Sequence, residues 1–377
     1  MAKDKLTRRE FIRNGSRAIA GVVLGSAVLH GTADGVGLKP AERASRILNY
    51  NPQMKYRRLG KTDLVISEIS LGGHWKTYGG GRVWLSLPND EVPADVAKNR
   101  TDVISKCIDA GINYLDITTP AECLAYGVAL RGRREKMYVG ADDCILCIRD
   151  RSKRTVKAQI FNVEECLRRL KFDYLDIWRP QADVMGRHTD DEIATVVEAF
   201  EKLHEQGKVR WLGISSHNRK FLQHVIEAFP QFSIVIFPYT AKSKMQEMPA
   251  GPGGADFSKS IFQVAREHDV GIITIKPFAG GSLFRTRARF PVREPGNPED
   301  HKLARLTLQY ILSNPYITAT VPGMTTVEEV ENNVRASYER VTSSLTPEDA
   351  KRLAEAVDEM WRNLPPEYKW LREWEWV

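Results

Sequence analysis

The stretch Gly111-Ile112-Asn113-Tyr114-Leu115-Asp116 is a short apolar run ending in an acid, set between two segments of helical period at 95–110 and 121–131. Helix, strand, helix, with a strand this apolar, describes one unit of a buried parallel sheet. The acid then falls at the carboxyl end of the strand, where α/β proteins keep their chemistry. The unit recurs along the chain. Candidate strands at 69–72, 114–117, 137–141, 174–178, 209–215, 234–237, 272–275 and 318–321 alternate with helical patterns, the clearest at 163–170, 192–206, 219–228, 258–268, 302–313 and 327–336. Strands each followed by a helix, eight times over, give the order of a (β/α)8 TIM barrel. An open doubly wound sheet is the competing architecture, but no strand here runs into a Gly-x-Gly-x-x-Gly turn. Upstream, 55–59 and 64–66 flank Gly60-Lys61-Thr62-Asp63 and read as a β-hairpin. The expected fold is therefore α/β, a (β/α)8 TIM barrel with an N-terminal β-hairpin over residues 55–345. A polar linker at 34–54 precedes it, and a C-terminal helix and Trp-rich tail at 346–377 follow.

Charge decides which partners to consider. The formal net charge is +7, but residues 1–33 hold Lys3, Lys5, Arg8, Arg9, Arg13 and Arg17 against only Asp4 and Glu10, leaving +3 for the rest. No basic stripe interleaved with aromatics remains, so nucleic acid is not an expected partner. The same segment reads Thr7-Arg8-Arg9-Glu10-Phe11-Ile12 followed by a small and apolar run at 18–29. Paired arginines before a short, weakly hydrophobic core resemble a twin-arginine export signal, so the expected partner is the twin-arginine translocation machinery and the expected location the periplasm. The run is shorter than the ~20 residues a bilayer span needs, so it anchors the protein at the membrane only if left uncleaved. Five cysteines, an odd number, make no disulfide scaffold, and a single Cys144-Ile145-Leu146-Cys147 is a weak metal signal more simply read as two half-buried thiols.

Two connections are long. Residues 75–92 follow the first barrel strand and 241–257 the sixth, and loops of that length on the carboxyl face usually bind or cover something. The tail concentrates Trp361, Trp370, Trp374 and Trp376 among charges, and is expected to pack against the barrel or against a second subunit or partner sooner than to wrap round a ligand.

Several strings resemble the aldo-keto reductases. Tyr56-Arg57-Arg58-Leu59-Gly60-Lys61-Thr62 is similar to that family's opening hairpin, the stretch ending in Asp116 to its second strand, Phe172-Asp173-Tyr174-Leu175-Asp176 to the entry of the fourth, Gly213-Ile214-Ser215 to the fifth, and Val321-Pro322-Gly323-Met324 through Asn333 to the eighth with its helix. The resemblance implies a barrel that binds NADP or NAD at its carboxyl face and passes hydride to or from a small carbonyl or hydroxyl compound. It also implies positions. Gly280, Gly281 and Ser282 would approach the pyrophosphate; Pro322, Gly323, Thr325 and Thr326 would meet the adenosine half, with Asn333 at the base; Ser215 would touch the carboxamide.

The family's chemistry rests on a tyrosine, a lysine, an aspartate and a histidine, because the alkoxide left by hydride transfer must be protonated or held electrostatically. Asp116 supplies the aspartate. Ile117-Thr118-Thr119-Pro120-Ala121 offers no tyrosine, and Tyr126 falls where a helix core residue is expected. The third strand ends in Asp142 instead of lysine, and Trp178-Arg179-Pro180-Gln181 puts Gln181 at the histidine's place. Two neighbouring acids repel, so one of Asp116 and Asp142 is expected to bind a proton, or both to share a cation. A phenol hydroxyl found beside Asp116 would undo this expectation of altered chemistry. The candidate catalytic residues are His74, Asp116, Asp142, Gln181 and Lys276. Cofactor scarcity outside the cytoplasm implies a dinucleotide loaded before export and held tightly. Two other readings compete: a non-redox barrel enzyme using a metal on His74, Asp116, Asp142 and His217 or a Schiff base on Lys276, and a degenerate binding or scaffold protein at the membrane. Those four positions are dispersed, and no metal is the expected state.

Overall fold

The computed structural model describes residues 46–73, 86–243, 259–284, 297–340, 346–364 and 366–373. A hairpin of β1 (Tyr56–Arg58) and β2 (Val65–Ser67), paired antiparallel, precedes seven parallel strands: β3 (Tyr114–Ile117), β4 (Tyr138–Ala141), β5 (Leu175–Trp178), β6 (Val209–Ser215), β7 (Phe232–Pro238), β8 (Gly271–Ile275) and β9 (Ala319–Val321). They pair in sequence order, β3 to β9. The segment 69–72 closes the circle through parallel bridges, Ile69 and Gly72 to Thr320 and Gly323, and Leu71 to Leu115. It forms isolated bridges instead of the full strand its sequence suggests, since four residues must serve β3 on one side and β9 on the other. With it the sheet is an eight-stranded barrel, as expected.

Between the strands run α1 (Ala94–Asp109), α2 (Pro120–Ala129), α3 (Val156–Leu170), α4 (Asp190–Glu205), α5 (Arg219–Ala228), α6 (Ile261–Glu267), α7 (Pro298–Ser313) and α8 (Val327–Tyr338), with α9 (Pro347–Arg362) after the barrel. Their starts are written locally. Thr119 with Glu122, Thr189 with Glu192 and Ser260 with Gln263 form capping boxes, each satisfying two amide donors that the first helical turn leaves over. Pro120, Pro298 and Pro347 stand at first-turn positions, where a missing N–H costs nothing.

Two apolar layers result. Val139, Leu175, Leu212, Val235 and Ile272 belong to the larger, between strands and helices, while Tyr114, Ile177, Ile234, Ile236 and Ile273 fill the barrel interior. The hairpin joins the interior layer through Leu59, Leu64 and Ile66, so it stoppers the amino-terminal end and leaves only the carboxyl end open to chemistry. The described part of the 34–54 linker is docked, not loose. Asn49 Nδ2 donates to the carbonyls of Ile112 and Lys136, and Asn51 Nδ2 to those of Ala110 and to the Tyr338 hydroxyl. The amides of these polar residues satisfy backbone groups that the barrel bottom would otherwise leave open.

Among the described residues no helix is long and apolar enough to cross a membrane. The stretch 1–33 that resembles an export signal, His74, most of both long connections, and Trp374 and Trp376 lie outside the described residues.

Candidate active site

Asp116 lies at the carboxyl end of β3, opposite Gly140 of β4. Its partner comes from two strands away. Arg179, one residue past β5, donates from Nε to Asp116 Oδ1 at 2.6 Å and from Nη2 to Oδ2 at 2.8 Å, and Nη2 also reaches the Ile117 carbonyl at 2.9 Å. Both side chains are almost completely buried, and the two-pronged geometry is the one a guanidinium offers a carboxylate. Burial holds the Asp116 carboxyl above its ordinary value, while Arg179 pulls it down. Arg179 Nη1 makes no hydrogen bond to a described residue. Arg179 stands two residues before Gln181, at a turn where the family resemblance points only to a histidine, so its sequence position alone does not mark it.

Asp142 does not share that cation directly. Its Oδ1 accepts from Asn162 Nδ2 at 2.9 Å and Trp178 Nε1 at 3.2 Å, and its Oδ2 from the Gln181 backbone N–H at 3.0 Å and Gln181 Nε2 at 3.3 Å. Burial pushes its carboxyl up to about 7, against Arg179 and these donors. Gln181 is pinned in turn, its Nε2 also reaching the carbonyls of Thr118 and Asp142 at 3.3 Å. The expected repulsion between Asp116 and Asp142 is thus resolved by separate partners: an arginine for one, four N–H donors for the other.

A phenol does stand beside Asp116. The Tyr114 hydroxyl donates to Asp116 Oδ1 at 3.2 Å. Its ring belongs to the barrel interior, with no exposed surface, and burial and the Asp116 charge raise its pKa well above the usual phenol value. A proton donor needs the opposite shift and access to the mouth. The phenol named as the finding against altered chemistry is thus present in position, and that expectation no longer stands on the absence of a phenol; what separates Tyr114 from a proton donor is its place sealed in the barrel interior, where it supports Asp116 from below. Room for it comes from Gly140, where a Cβ would lie 2.3 Å from the Tyr114 hydroxyl. Gly140→Val should push the phenol off Asp116 and cost about 1–3 kcal/mol by overpacking, read as a lower urea midpoint; an unchanged midpoint would show the interior can yield.

Past the end of β3 at Ile117 the chain has only Thr118 and Thr119 before α2 begins at Pro120. Glu122 closes that short turn, its Oε2 accepting from Thr118 N at 2.7 Å and Thr118 Oγ1 at 2.8 Å, and Gly73 leaves it space. Tyr126 is a fully buried helix residue, as its position implies. Cys144 and Cys147 are free, with burial pushing both thiols up to about 12, so neither is a ready nucleophile or thiolate ligand. No group of three His, Cys, Asp or Glu able to hold a metal occurs among the described residues.

Across the mouth, Lys276 follows β8 directly with φ of 58°, a left-handed conformation costing a non-glycine residue about 1–2 kcal/mol. That twist brings Lys276 Nζ to 3.1 Å from His217 Nε2. Burial, with the Lys276 and Arg149 cations, pushes the His217 imidazole down to about 2, so it is neutral and accepts from the ammonium. Ser215, also buried, lies two residues before His217 and bridges to Gln181. These residues form one rim around the opening.

The remaining predicted binding positions fall on two neighbouring connections. Pro322, Gly323, Thr325 and Thr326 lie between β9 and α8. Thr326 caps the helix through Glu329 N, and Thr325 N and Oγ1 both donate to Glu329 Oε2, at 2.6 and 2.9 Å. Asn333, buried in α8, accepts from Asn332 Nδ2 at 3.3 Å. Gly280 and Gly281 belong to the 3-10 turn Ala279–Gly281 after β8, followed by Ser282. Gly280 has φ of 66°, and the space a Cβ would take is filled by the Tyr368 ring at 2.3 Å. Trp370 stacks on His217, centroids 4.2 Å apart and planes 18° apart. The described tail thus packs on the barrel mouth, on one of the two surfaces its sequence allowed.

A closed (β/α)8 barrel with a buried charged network at the carboxyl ends of its strands defines the class: a barrel with its chemistry at the mouth. A model of the aldo/keto reductase family matches residues 89–358. The chain belongs to that family of oxidoreductases. Among curated relatives, the uncharacterized oxidoreductase YqkF of Bacillus subtilis is 25% identical over 343 residues, covering 80% of this chain and 95% of its own. L-galactose dehydrogenase of Arabidopsis thaliana is 25% identical over 336 residues, covering 83% and 97%. Among solved structures, the holo form of aldo-keto reductase AKR11C1 from Bacillus halodurans superposes with a TM-score of 0.55 at 23% identity, over 80% of this chain and 96% of that one. An aldo-keto reductase from Klebsiella pneumoniae in complex with NADPH gives 0.55 at 18%, over 80% and 94%. These structural likenesses establish the shared fold.

Proposed function

We propose that this protein is an NADP(H)-class oxidoreductase acting on a small carbonyl or hydroxyl compound, with acid–base equipment that departs from its family's. One observation carries the reading: in a family member, Asp116 is held by a buried arginine while the short turn beyond it carries no tyrosine. The dinucleotide, known in the Klebsiella pneumoniae relative, supplies or accepts hydride when bound. The berth fits flat rings, since two of the chain's own, Tyr368 and Trp370, already rest on Gly280 and His217. Gly280, Gly281 and Ser282 would hold the pyrophosphate, Pro322, Gly323, Thr325, Thr326 and Asn333 the adenosine half, and Ser215 the carboxamide.

The chain's own groups then divide the work. The Arg179 guanidinium stays charged at any working pH, so it stabilises an alkoxide without donating a proton; that proton comes from water at the mouth. Asp116 and Tyr114 fix the guanidinium's position, and Asp142 with Gln181 builds the adjoining wall. The pairing Arg8-Arg9 before a weakly apolar run supports export by the twin-arginine route to the periplasm, with the dinucleotide loaded beforehand and held tightly.

Protein purified from periplasm and then denatured should release a nicotinamide dinucleotide near one per chain, identified by mass. If neither copurified nor added dinucleotide binds, the redox reading fails. Asp116→Asn, which releases Arg179 from its charge partner, should lower kcat/KM on the order of a hundredfold with the fold retained by circular dichroism. Turnover unchanged in that variant would remove the Asp116–Arg179 pair from the chemistry.

A further inference from the structure

We propose that the C-terminal segment 366–373 is a strap that occupies the dinucleotide berth and has to lift before the cofactor binds. The inference rests on the dinucleotide reading above and goes beyond it by assigning the tail a regulatory place.

Three contacts set the strap down on the mouth. Tyr368 covers Gly280 so closely that a Cβ there would lie 2.3 Å from its ring. Trp370 lies flat on His217 at 4.2 Å, and Lys276 Nζ sits 5.7 Å from the centre of the same indole. The two strap rings are 6.3 Å apart, so they cover the turn after β8 and the rim after β6 together. These are the stretches proposed for the pyrophosphate and the carboxamide end, and one volume cannot hold both the rings and a dinucleotide.

The anchorage suits a part that detaches. Leu364 and Leu371 are buried in a satellite cluster with Leu353, Val357 and Met360 of α9 and Leu303 and Leu306 of α7, separate from the barrel's main layers. Ala279 and Leu283 of the covered turn belong to it as well. Opening this small cluster leaves the barrel core intact, the pattern expected of a locally unfolding unit. The strap's rings contribute stacking on a neutral imidazole and a cation over an indole, contacts that are favourable yet modest.

A closed strap lowers apparent affinity by the fraction of molecules that are open. The test titrates the full chain, freed of any copurified dinucleotide, with NADPH by calorimetry, beside Tyr368→Ala and Tyr368→Ala/Trp370→Ala. Tightening of about tenfold or more in the double variant, a smaller tightening in the single one, and faster proteolytic cleavage of the parent's tail at saturating NADPH are the expected results. The single variant keeps the test decisive if the double one does not fold. Parent binding with variants equal or weaker would overturn the strap, because the rings would then be part of the holding surface. Binding by none of the three would overturn the dinucleotide reading and this inference with it.

Discussion

Replacing Arg179 with Met should destabilise the protein by about 3–5 kcal/mol, because it leaves the Asp116 carboxylate buried without its counter-charge. Among the described residues no second cation hydrogen-bonds Asp116. Tyr114 offers one hydroxyl at 3.2 Å, and Asp142 adds negative charge to the same end of the barrel. The measurement is equilibrium urea unfolding at pH 7 of parent, Arg179→Met, Asp116→Asn and the double variant. The double variant should be more stable than Arg179→Met alone, since a buried pair removed whole costs far less than a pair broken. Simple additivity of the two single losses would mean that the two side chains are not coupled.

The second large effect is a pH dependence that belongs to Asp142. Its folded carboxyl titrates near 7, above the ordinary 3.8 that it regains on unfolding. Between those values the folded state binds the extra proton, so stability falls as pH rises through the window and the loss is complete above pH 7. The shift corresponds to a penalty on the order of 4 kcal/mol. Two histidines oppose it. His188 is pushed down to about 4 and His217 to about 2, both chiefly by burial, so each favours the folded state as pH rises toward the imidazole's ordinary 6.5. The contribution of Asp142 is therefore read as a difference. Asp142→Asn starts lower, because its amide N–H₂ meets donors where the carboxylate accepted, but the parent should lose ground relative to it between pH 4 and pH 7. A constant gap across that range would mean that the four N–H donors keep the Asp142 carboxylate charged throughout.

Both effects depend on groups whose identities are plain in the sequence and whose partners are not. Asp116 was recognisable as a strand-end acid because a four-residue apolar strand between two helices admits few placements. Arg179 stood in view two residues from Gln181, yet its link to Asp116 spans 63 positions and exists only when β3, β4 and β5 lie side by side. A closed barrel points alternate residues of those strands at a common axis, and neither residue's local pattern encodes that meeting. The Tyr114 phenol escapes sequence reasoning for a related reason: the family's tyrosine is expected after Asp116, whereas the strand's period of two turns the residue two places earlier toward the same interior. The tail shows the limit most clearly. Its tryptophans marked it as a packing element, but two surfaces were open to it, and only the packing of α9 and the tail on α7 and the turn after β8 selects the mouth.

The chain's local grammar by itself determined the parallel barrel, its hairpin stopper and the helix starts at Thr119, Thr189 and Ser260, because these follow from period, capping and turn chemistry within a few residues; the family was legible only as a resemblance of strings. Tertiary structure alone decided that Asp116 answers to Arg179, that Asp142 is enclosed by N–H donors, and that Tyr368 and Trp370 lie over the berth. Such pairings join residues far apart in the chain, and their energies arise from burial that exists only once the barrel has closed.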